Sequence, residues 1–166
     1  NPINCLLYLP IKPQDIKMKK SQNLRKGRIS IPNHYYCVTL VINNRQKLLS
    51  DLSLNRKIIF EIKKLELEGA CKSIAFVLMP DHIHWLFQLK VSMHLSALIR
   101  LFKGRCTKLA RDHHKINKLW QSDYYDHMIR DEKDLINYAR YIVANPLRAN
   151  IVNNVGDYQF WDCFYL

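Results

Sequence analysis

The strongest constraint on the fold lies in residues 82–89, where two kinds of side chain alternate along the chain. Every second residue is apolar, and these four would share one face of a strand: Ile83, Trp85, Phe87 and Leu89. The residues between them form a more polar set: His82, His84, Leu86 and Gln88. Because side chains alternate between the faces of a strand, this period of two predicts a strand whose apolar face packs on helices. We expect its other face to be open to a site.

His82 and His84, called the histidine pair below, would emerge side by side on the more polar face of that strand. Two imidazoles in this arrangement can hold one divalent cation. The same pattern also fits two partly buried histidines that bond to neighbouring carbonyls, and a short motif does not separate these alternatives. The pair therefore needs partners before it indicates a metal site.

The composition limits the classes of protein to which the chain can belong. With 166 residues and 48% hydrophobic content, the chain can fill the core of one compact domain. Five cysteines without C-x-x-C spacing argue against a structural zinc site and a disulfide scaffold. The apolar runs are shorter than a bilayer span and the first ten residues lack the pattern of a signal peptide, so we expect a cytoplasmic protein without membrane contact.

A net charge of +12 predicts a polyanionic partner, and nucleic acid is the first choice. The basic residues are concentrated in two segments. The first is a predicted basic arm over residues 1–30, with candidate DNA contacts at Arg25, Lys26 and Arg28. The second is an amphipathic helix over residues 93–112, with candidate contacts at Arg100, Lys103, Arg105 and Lys108. Either segment could instead be a solvated basic surface.

The remaining patterns predict a single α+β domain over residues 31–166. The predicted elements are strands at 35–42, 74–79, 82–89 and 124–129, and helices at 51–67, 93–112 and 131–144. Asp51 and Asp131 are candidate N-caps, Gly69 closes the first helix, and Pro80-Asp81 separates two strands. The order β, α, β, β, α, β, α indicates an antiparallel sheet with helices packed on one face.

The last predicted helix carries a second set of candidate site residues. Steps of about 100° per residue place four of them on one strip beside the core stripe: Asp134, Tyr138, Tyr141 and Asn145. A free phenol is protonated at neutral pH, so attack on a phosphodiester would need a nearby cation. Asn145 offers a carbonyl oxygen to a cation on the histidine pair, and this ligand set suits Mg²⁺ or Mn²⁺. Spacing alone leaves open Tyr138, Tyr141, or two flanking tyrosines with hydroxyls in water.

Four stretches of the chain form one ordered set: MPDHIHW at 79–85, LWQ at 119–121, YYDHMIRDE at 124–132 and YIVANPLRA at 141–149. Together they resemble the single-tyrosine HUH transposases, and within them the REP-associated tyrosine transposases. Their order and spacing are more specific than any one motif, and the resemblance covers roughly residues 25–158.

The resemblance implies a ferredoxin-like or RRM-like fold and a chemistry. It implies that His82 and His84 bind a metal ion, Mg²⁺ or Mn²⁺, with Asn145 as third ligand, and that Tyr141 is the nucleophile. The implied reaction is metal-dependent nicking and strand transfer on single-stranded DNA, at a hairpin, through a bond between Tyr141 and a 5′ phosphate. Many relatives carry Gln where this chain has Asn145 and Gly where it has Asn150.

Two other functions fit parts of the sequence. A nucleotide hydrolase with alternating histidines would need a third histidine at position 86, where Leu86 stands. A catalytically silent nucleic-acid-binding protein on the same fold would bind DNA or RNA without any need for Tyr141 or a metal ion. The sequence is compatible with a monomer and with a homodimer.

Overall fold

A computed structural model of the chain describes residues 30–165, so the predicted DNA contacts at Arg25, Lys26 and Arg28 lie outside the described residues. The helices and strands follow in the order β1 (Tyr35–Val41), α1 (Leu52–Leu67), β2 (Cys71–Met79), β3 (His82–Leu89), α2 (Leu95–His114), β4 (Tyr125–Ile129), α3 (Glu132–Val143), α4 (Asn145–Arg148) and β5 (Trp161–Cys163). The predicted order of strands and helices is confirmed as far as α3. The sequence did not indicate β5.

The five strands form one antiparallel sheet in the order β4-β1-β3-β2-β5. A two-residue turn at Pro80 and Asp81 joins β2 to β3, and Met79 pairs with His82 beside that turn. The histidine pair therefore lies at the start of the central strand. The predicted edge strand at 124–129 is β4, which forms one edge of the sheet.

Helices cover both faces of the sheet, which corrects the expectation that they pack on one face. Helices α1 and α2 pack on the apolar face of β3, where Trp85 and Phe87 are fully buried. Helix α3 packs on the other face through Leu135, Ala139 and Ile142. That face looks polar in β3 alone, but Leu86 and the neighbouring strands supply apolar side chains beneath α3. The α+β class and the antiparallel sheet are confirmed.

Local interactions set the ends of the helices that frame the site. The carboxylate of Asp51 accepts a hydrogen bond of 2.7 Å from the backbone N–H of Leu54 and caps α1. Asp131 caps α3 in the same way through the backbone N–H of Lys133. Helix α3 ends at Val143, and α4 begins directly after it with Pro146 in its first turn, where a missing N–H costs no helical hydrogen bond. Within residues 30–165, no helix combines the length and the apolar composition that crossing a bilayer would need.

Candidate active site

The histidine pair has the separation that a shared cation requires. The Nε2 atoms of His82 and His84 lie 3.1 Å apart, and the two rings meet nearly at right angles. Two ligands of one octahedral cation, each about 2.1 Å from it and at right angles, stand about 3.0 Å apart. His84 is buried with 7% exposure, whereas His82 is half-buried, so the pair opens to solvent on one side only.

The outer nitrogen of each imidazole is held by a neighbouring side chain. His82 Nδ1 lies 2.6 Å from Asp81 Oδ1, and the other oxygen of Asp81 accepts a hydrogen bond of 2.9 Å from Arg45. His84 Nδ1 lies 2.8 Å from the hydroxyl of Thr39, its partner across β1 and β3. Partners of this kind fix the orientation of metal-binding imidazoles and direct their inner lone pairs.

Arg45 reaches Asp81 because of an unusual turn. Asn44 and Arg45 both have positive φ, 55° and 52°, a conformation that non-glycine residues adopt rarely. The backbone N–H of Ile42, just before this turn, donates a hydrogen bond of 2.9 Å to the carbonyl of Asp81. The turn after β1 and the hairpin before β3 are thus joined at the end of the sheet that carries the histidine pair.

The electrostatics keep His84 neutral and the neighbouring carboxylate charged. Burial, aided by the positive charge of His82, lowers the pKa of His84 to about 3, although Asp81 opposes the shift. Burial alone would raise the pKa of Asp81, but the hydrogen bonds and charges of His82 and Arg45 outweigh it and hold that pKa below its usual range. At neutral pH His84 therefore keeps a free lone pair.

Proton positions follow from these contacts. Asp81 can only accept, so His82 donates from Nδ1, and the neutral form of His82 presents a lone pair at Nε2. The 3.1 Å contact between the two Nε2 atoms then needs a proton from His84, whose Nδ1 accepts from Thr39. A hydroxyl both donates and accepts, so Thr39 also serves the other tautomer of His84, in which both Nε2 lone pairs are free for a cation.

Tyr141 lies beside this pair in the last turn of α3. Its ring centroid is 6.4 Å from that of His84, with the two planes at 68°, and the residue is half-buried. The guanidinium carbon of Arg148, in α4, lies 4.6 Å from the centroid of the same ring. The fold thus brings the phenol of Tyr141, the imidazole of His84 and the guanidinium of Arg148 together on the side of the sheet that α3 covers.

Tyr138 occupies a different place. Its ring stacks on His127 of β4, with centroids 5.4 Å apart and planes at 22°. Burial raises the pKa of Tyr138 to about 12, with smaller contributions from Cys37, Asp134 and Tyr141. The two tyrosines share one strip of the helix but contact different strands, since Tyr141 meets central strand β3 and Tyr138 meets edge strand β4.

Asn145 is fixed by the end of α3. Its Nδ2 donates to the backbone carbonyls of Tyr141 at 2.9 Å and Ile142 at 3.2 Å, bonds in which Oδ1 takes no part. Among residues 30–165, no group of three His, Cys, Asp or Glu side chains has the spacing of a metal site. The set of two imidazole nitrogens and the amide oxygen of Asn145 stays the donor set that the sequence predicts.

The predicted DNA contacts of α2 are not brought to the histidine pair, because α2 covers the opposite face of the sheet. Lys103 donates to the backbone carbonyls of Gln121 and Ser122, at 2.5 and 2.9 Å. Arg105 donates to both oxygens of Glu68, the residue that directly follows α1. Arg100 and Lys108 are exposed.

Sequence reasoning missed four residues that surround the site: Thr39, Arg45, Asp81 and Arg148. Asp81 directly precedes His82, and an acidic neighbour of a candidate ligand is a signal that the sequence offered. Arg148 lies in the stretch that resembles known transposases, but no role was predicted for it. Thr39 and Arg45 meet the site through strand pairing and a turn, and neither is visible as a motif.

Comparisons with known proteins place the chain among transposases. The family described as "Transposase IS200 like" matches residues 30–145. A Haemophilus influenzae protein named "Putative REP-associated tyrosine transposase" is 29% identical over 100 residues, which are 54% of this chain and 57% of that protein. This match therefore spans little more than half the length of the relative. A REP-associated tyrosine transposase of Escherichia coli (strain K12) is 25% identical over 127 residues, 76% of this chain and 73% of that protein.

Two solved structures share the fold. One is a REP-associated tyrosine transposase bound to a REP hairpin, with a TM-score of 0.70 and 24% identity over 87% of this chain and 82% of that one. The other is described as a "putative transposase" from Deinococcus radiodurans, with a TM-score of 0.53 and 16% identity over 75% of this chain and 95% of that one. At these identities the likeness is one of fold.

Proposed function

We propose that this chain, which belongs to the IS200-like transposase family, nicks and transfers single-stranded DNA through a covalent bond to Tyr141. The observation that carries the proposal is the contact of Tyr141 with the histidine pair, a phenol 6.4 Å from the ring of His84 on the central strand. The reaction is an endonuclease-type transesterification and not a hydrolysis.

In the proposed first step, the phenolic oxygen of Tyr141 forms a bond to a DNA phosphorus, and the bond from that phosphorus to the 3′ oxygen breaks. The phenol loses its proton, and the leaving 3′ oxygen gains one and becomes a hydroxyl. The enzyme then holds the 5′ phosphate as a tyrosine ester. In the second step another 3′ hydroxyl attacks this ester, which restores the phenol and joins two DNA strands.

The residues present fit a divalent cation. His82 and His84 would hold it through their Nε2 atoms and Asn145 through its carbonyl oxygen, and Mg²⁺ or Mn²⁺ suits this set. When bound, such an ion polarises a phosphate oxygen and offsets the negative charge that repels a nucleophile. Asp81 and Thr39 keep the two imidazoles oriented, and Asn145 ties the ligand set to the helix of Tyr141.

The proposed substrate is single-stranded DNA that forms a hairpin, since one protein of the same fold is a transposase bound to a REP hairpin. A net charge of +12 supports a nucleic-acid partner. We place the nonspecific backbone contacts on the basic arm at residues 1–30 and on exposed Arg100 and Lys108 of α2, and we propose a cytoplasmic enzyme that works as a monomer or homodimer.

The test is the formation of a denaturation-resistant protein–DNA adduct. The protein is incubated with Mg²⁺ or Mn²⁺ and a pool of single-stranded DNA that shares one stem-loop, has randomised flanks and carries a 3′ fluorophore. The label reports the strand whose 5′ phosphate joins the protein. We expect a labelled band from the native chain that is lost in Tyr141→Phe and kept in Tyr138→Phe.

An adduct of equal yield from Tyr141→Phe would contradict the nucleophile, and loss in Tyr138→Phe alone would transfer that role to Tyr138. DNA binding with no adduct under either metal would favour a silent nucleic-acid-binding protein. Mass spectrometry of the adduct peptide identifies the modified tyrosine directly.

A further inference from the structure

Arg148 stands at the candidate active site, and its side-chain donors meet no acceptor within residues 30–165. Its guanidinium carbon lies 4.6 Å from the centroid of the Tyr141 ring, and the residue is exposed. With the part of the chain that the structure describes, Arg148 forms no ion pair and no side-chain hydrogen bond. This differs from Arg45 and Arg105, whose guanidinium groups each bond to a carboxylate.

The backbone around Arg148 fixes where its side chain begins. Helix α4 is held by hydrogen bonds from the N–H of Arg148 to Ala144 and from the N–H of Ala149 to Asn145. Pro146 is buried, and its carbonyl accepts a bond of 2.9 Å from Ile151 after the chain turns at Asn150, where φ is 53°. The contact of the Arg148 guanidinium with the Tyr141 ring therefore starts from an ordered turn.

Stacking and anion binding use different parts of a guanidinium. The flat face lies on an aromatic ring, while the five N–H donors lie in the plane of the group and point outward. Two of these donors match two oxygens of a phosphate. An arginine that rests on a phenol and keeps its donors free is therefore suited to bind an anion beside that phenol.

We propose that Arg148 is a catalytic residue that binds the nonbridging oxygens of the DNA phosphate attacked by Tyr141. This inference rests on the proposed function and deepens it by naming a protein group that touches the reacting phosphate. Imidazole and guanidinium approach Tyr141 differently, since His84 meets the ring at 68° and Arg148 covers its face. Negative charge builds on the phosphate oxygens as the phenol attacks, and a preorganised cation stabilises that charge most in the transition state.

The rival explanation is that Arg148 only holds the ring of Tyr141 in place. A positioning role would be the same for any phosphate, whereas a direct contact would depend on the charge of the phosphate. A methylphosphonate, in which a methyl group replaces one nonbridging oxygen, removes that charge and keeps the chain connected. Comparison of the two substrates in the native protein and in Arg148→Gln therefore separates the two roles.

The experiment uses the full chain and a 3′-labelled hairpin selected from the pool by the native protein, with its cleavage position mapped by sequencing the released 3′-hydroxyl fragment. We expect Arg148→Gln to slow adduct formation on the natural phosphate about 10²-fold at saturating DNA, with the hairpin dissociation constant changed little. Arg148→Lys should recover part of the rate. Arg56→Gln is the matched control, because Arg56 is exposed on α1 across the sheet and its loss removes the same charge.

The methylphosphonate decides the role. The native protein should react slowly with it, and Arg148→Gln should add only a severalfold further loss, far less than on the natural phosphate. An equal loss on both substrates would overturn direct contact, and a native rate in Arg148→Gln would overturn the inference while the Tyr141-dependent adduct upheld the proposed function. Absence of any adduct from the native protein would overturn both. Thermal unfolding midpoints of all variants check that each is folded.

Discussion

The two faces of central strand β3 have different roles, although the side chains that form them alternate along the same eight residues. On one face Trp85 and Phe87 are fully buried, and α1 and α2 cover them with apolar side chains. On the other face α3 covers only part of the strand, and the histidine pair lies at the end next to the hairpin, with His82 half-buried and His84 buried. One strand thus anchors a core and presents a site.

The difference shows how the fold orders the two imidazoles without removing both of them from solvent. Each imidazole of the site face has an outer partner, Asp81 or Thr39, so its orientation is set by hydrogen bonds and not by packing alone. The core face of β3 carries one polar side-chain group, the indole N–H of Trp85. This group donates a hydrogen bond of 3.1 Å to the hydroxyl of Ser73. Substitutions on the core face should act mainly on stability at neutral pH. Substitutions on the site face should act on binding, on chemistry and on the response of stability to acid.

The largest expected effect is on the core face. Trp85 packs on Phe87 and Phe102, with ring centroids 4.5 and 5.1 Å away, and Trp85→Ala should lower the free energy of unfolding by about 3–5 kcal/mol. Denaturant titration followed by circular dichroism measures the loss. Trp85→Phe, a smaller change, keeps the measurement possible if the alanine variant does not fold. Adduct yield per folded molecule should stay near native, and a selective loss of chemistry would break the separation of the faces.

On the site face, acid should destabilise the protein through His84. Its pKa falls from 6.5 to about 3 on folding, so below about pH 6.5 the unfolded chain binds a proton that the folded chain does not. The free energy of unfolding should therefore fall as the pH falls from about 6.5 to 4, at a slope approaching about 1.4 kcal/mol per pH unit. The lowered pKa of Asp81 adds a loss of the same sign only at more acidic pH.

Denaturant titrations with EDTA present, over this pH range, measure the slope. His84→Gln should flatten it, and His34→Gln is the matched control because His34 is exposed. A native slope in His84→Gln would show that the buried imidazole does not set the acid sensitivity.

A smaller effect should follow when the partner of His82 loses its charge. Asp81→Asn keeps an oxygen for His82 but removes the carboxylate and the ion pair with Arg45, and the affinity for Mn²⁺ should fall about 10–100-fold. Electron paramagnetic resonance of free Mn²⁺ measures the affinity without any DNA. Asp162→Asn is the control, because Asp162 lies on edge strand β5 and pairs with Lys63. Equal affinities in all three proteins would mean that Asp81 does not support the metal site.

Much of the fold could be predicted because each strand and helix carries its own periodic pattern. The start of α1 was placed at the cap Asp51, and the hairpin at Pro80-Asp81 divides two strands as expected. Strand β5 has only three residues, too few for a period to be visible. Helix α3 itself was predicted, but its packing on the second face was not, because the apolar surface beneath it comes from several strands, which a pattern within one strand does not reveal.

The candidate site was predictable where its residues are neighbours in the chain. The histidine pair follows from spacing within β3 and the two tyrosines from spacing within α3, and Asn145 extends their strip into α4. Thr39 meets His84 through the register of two strands, and Arg45 meets Asp81 through a turn with two positive φ values. Register and turn geometry depend on the packed sheet, so these partners could not be predicted from local spacing.

The smallest expected effect concerns the charges behind the core face. Arg105 bonds to Glu68 and lies 3.8 Å from buried Glu61, so Arg105→Gln should cost about 0.5–1 kcal/mol of unfolding free energy. Because the donors of Arg105 are already engaged, the salt dependence of hairpin binding should stay native in Arg105→Gln.

Arg100 lies on the exposed side of the same helix. Arg100→Gln should leave the free energy of unfolding within about 0.5 kcal/mol of native. It should reduce the slope of hairpin affinity against salt concentration by about 1 if the DNA backbone reaches α2. Stability and salt titrations of the two variants measure both quantities. A reduced salt slope in Arg105→Gln would mean that Arg105 leaves Glu68 and binds a DNA phosphate instead.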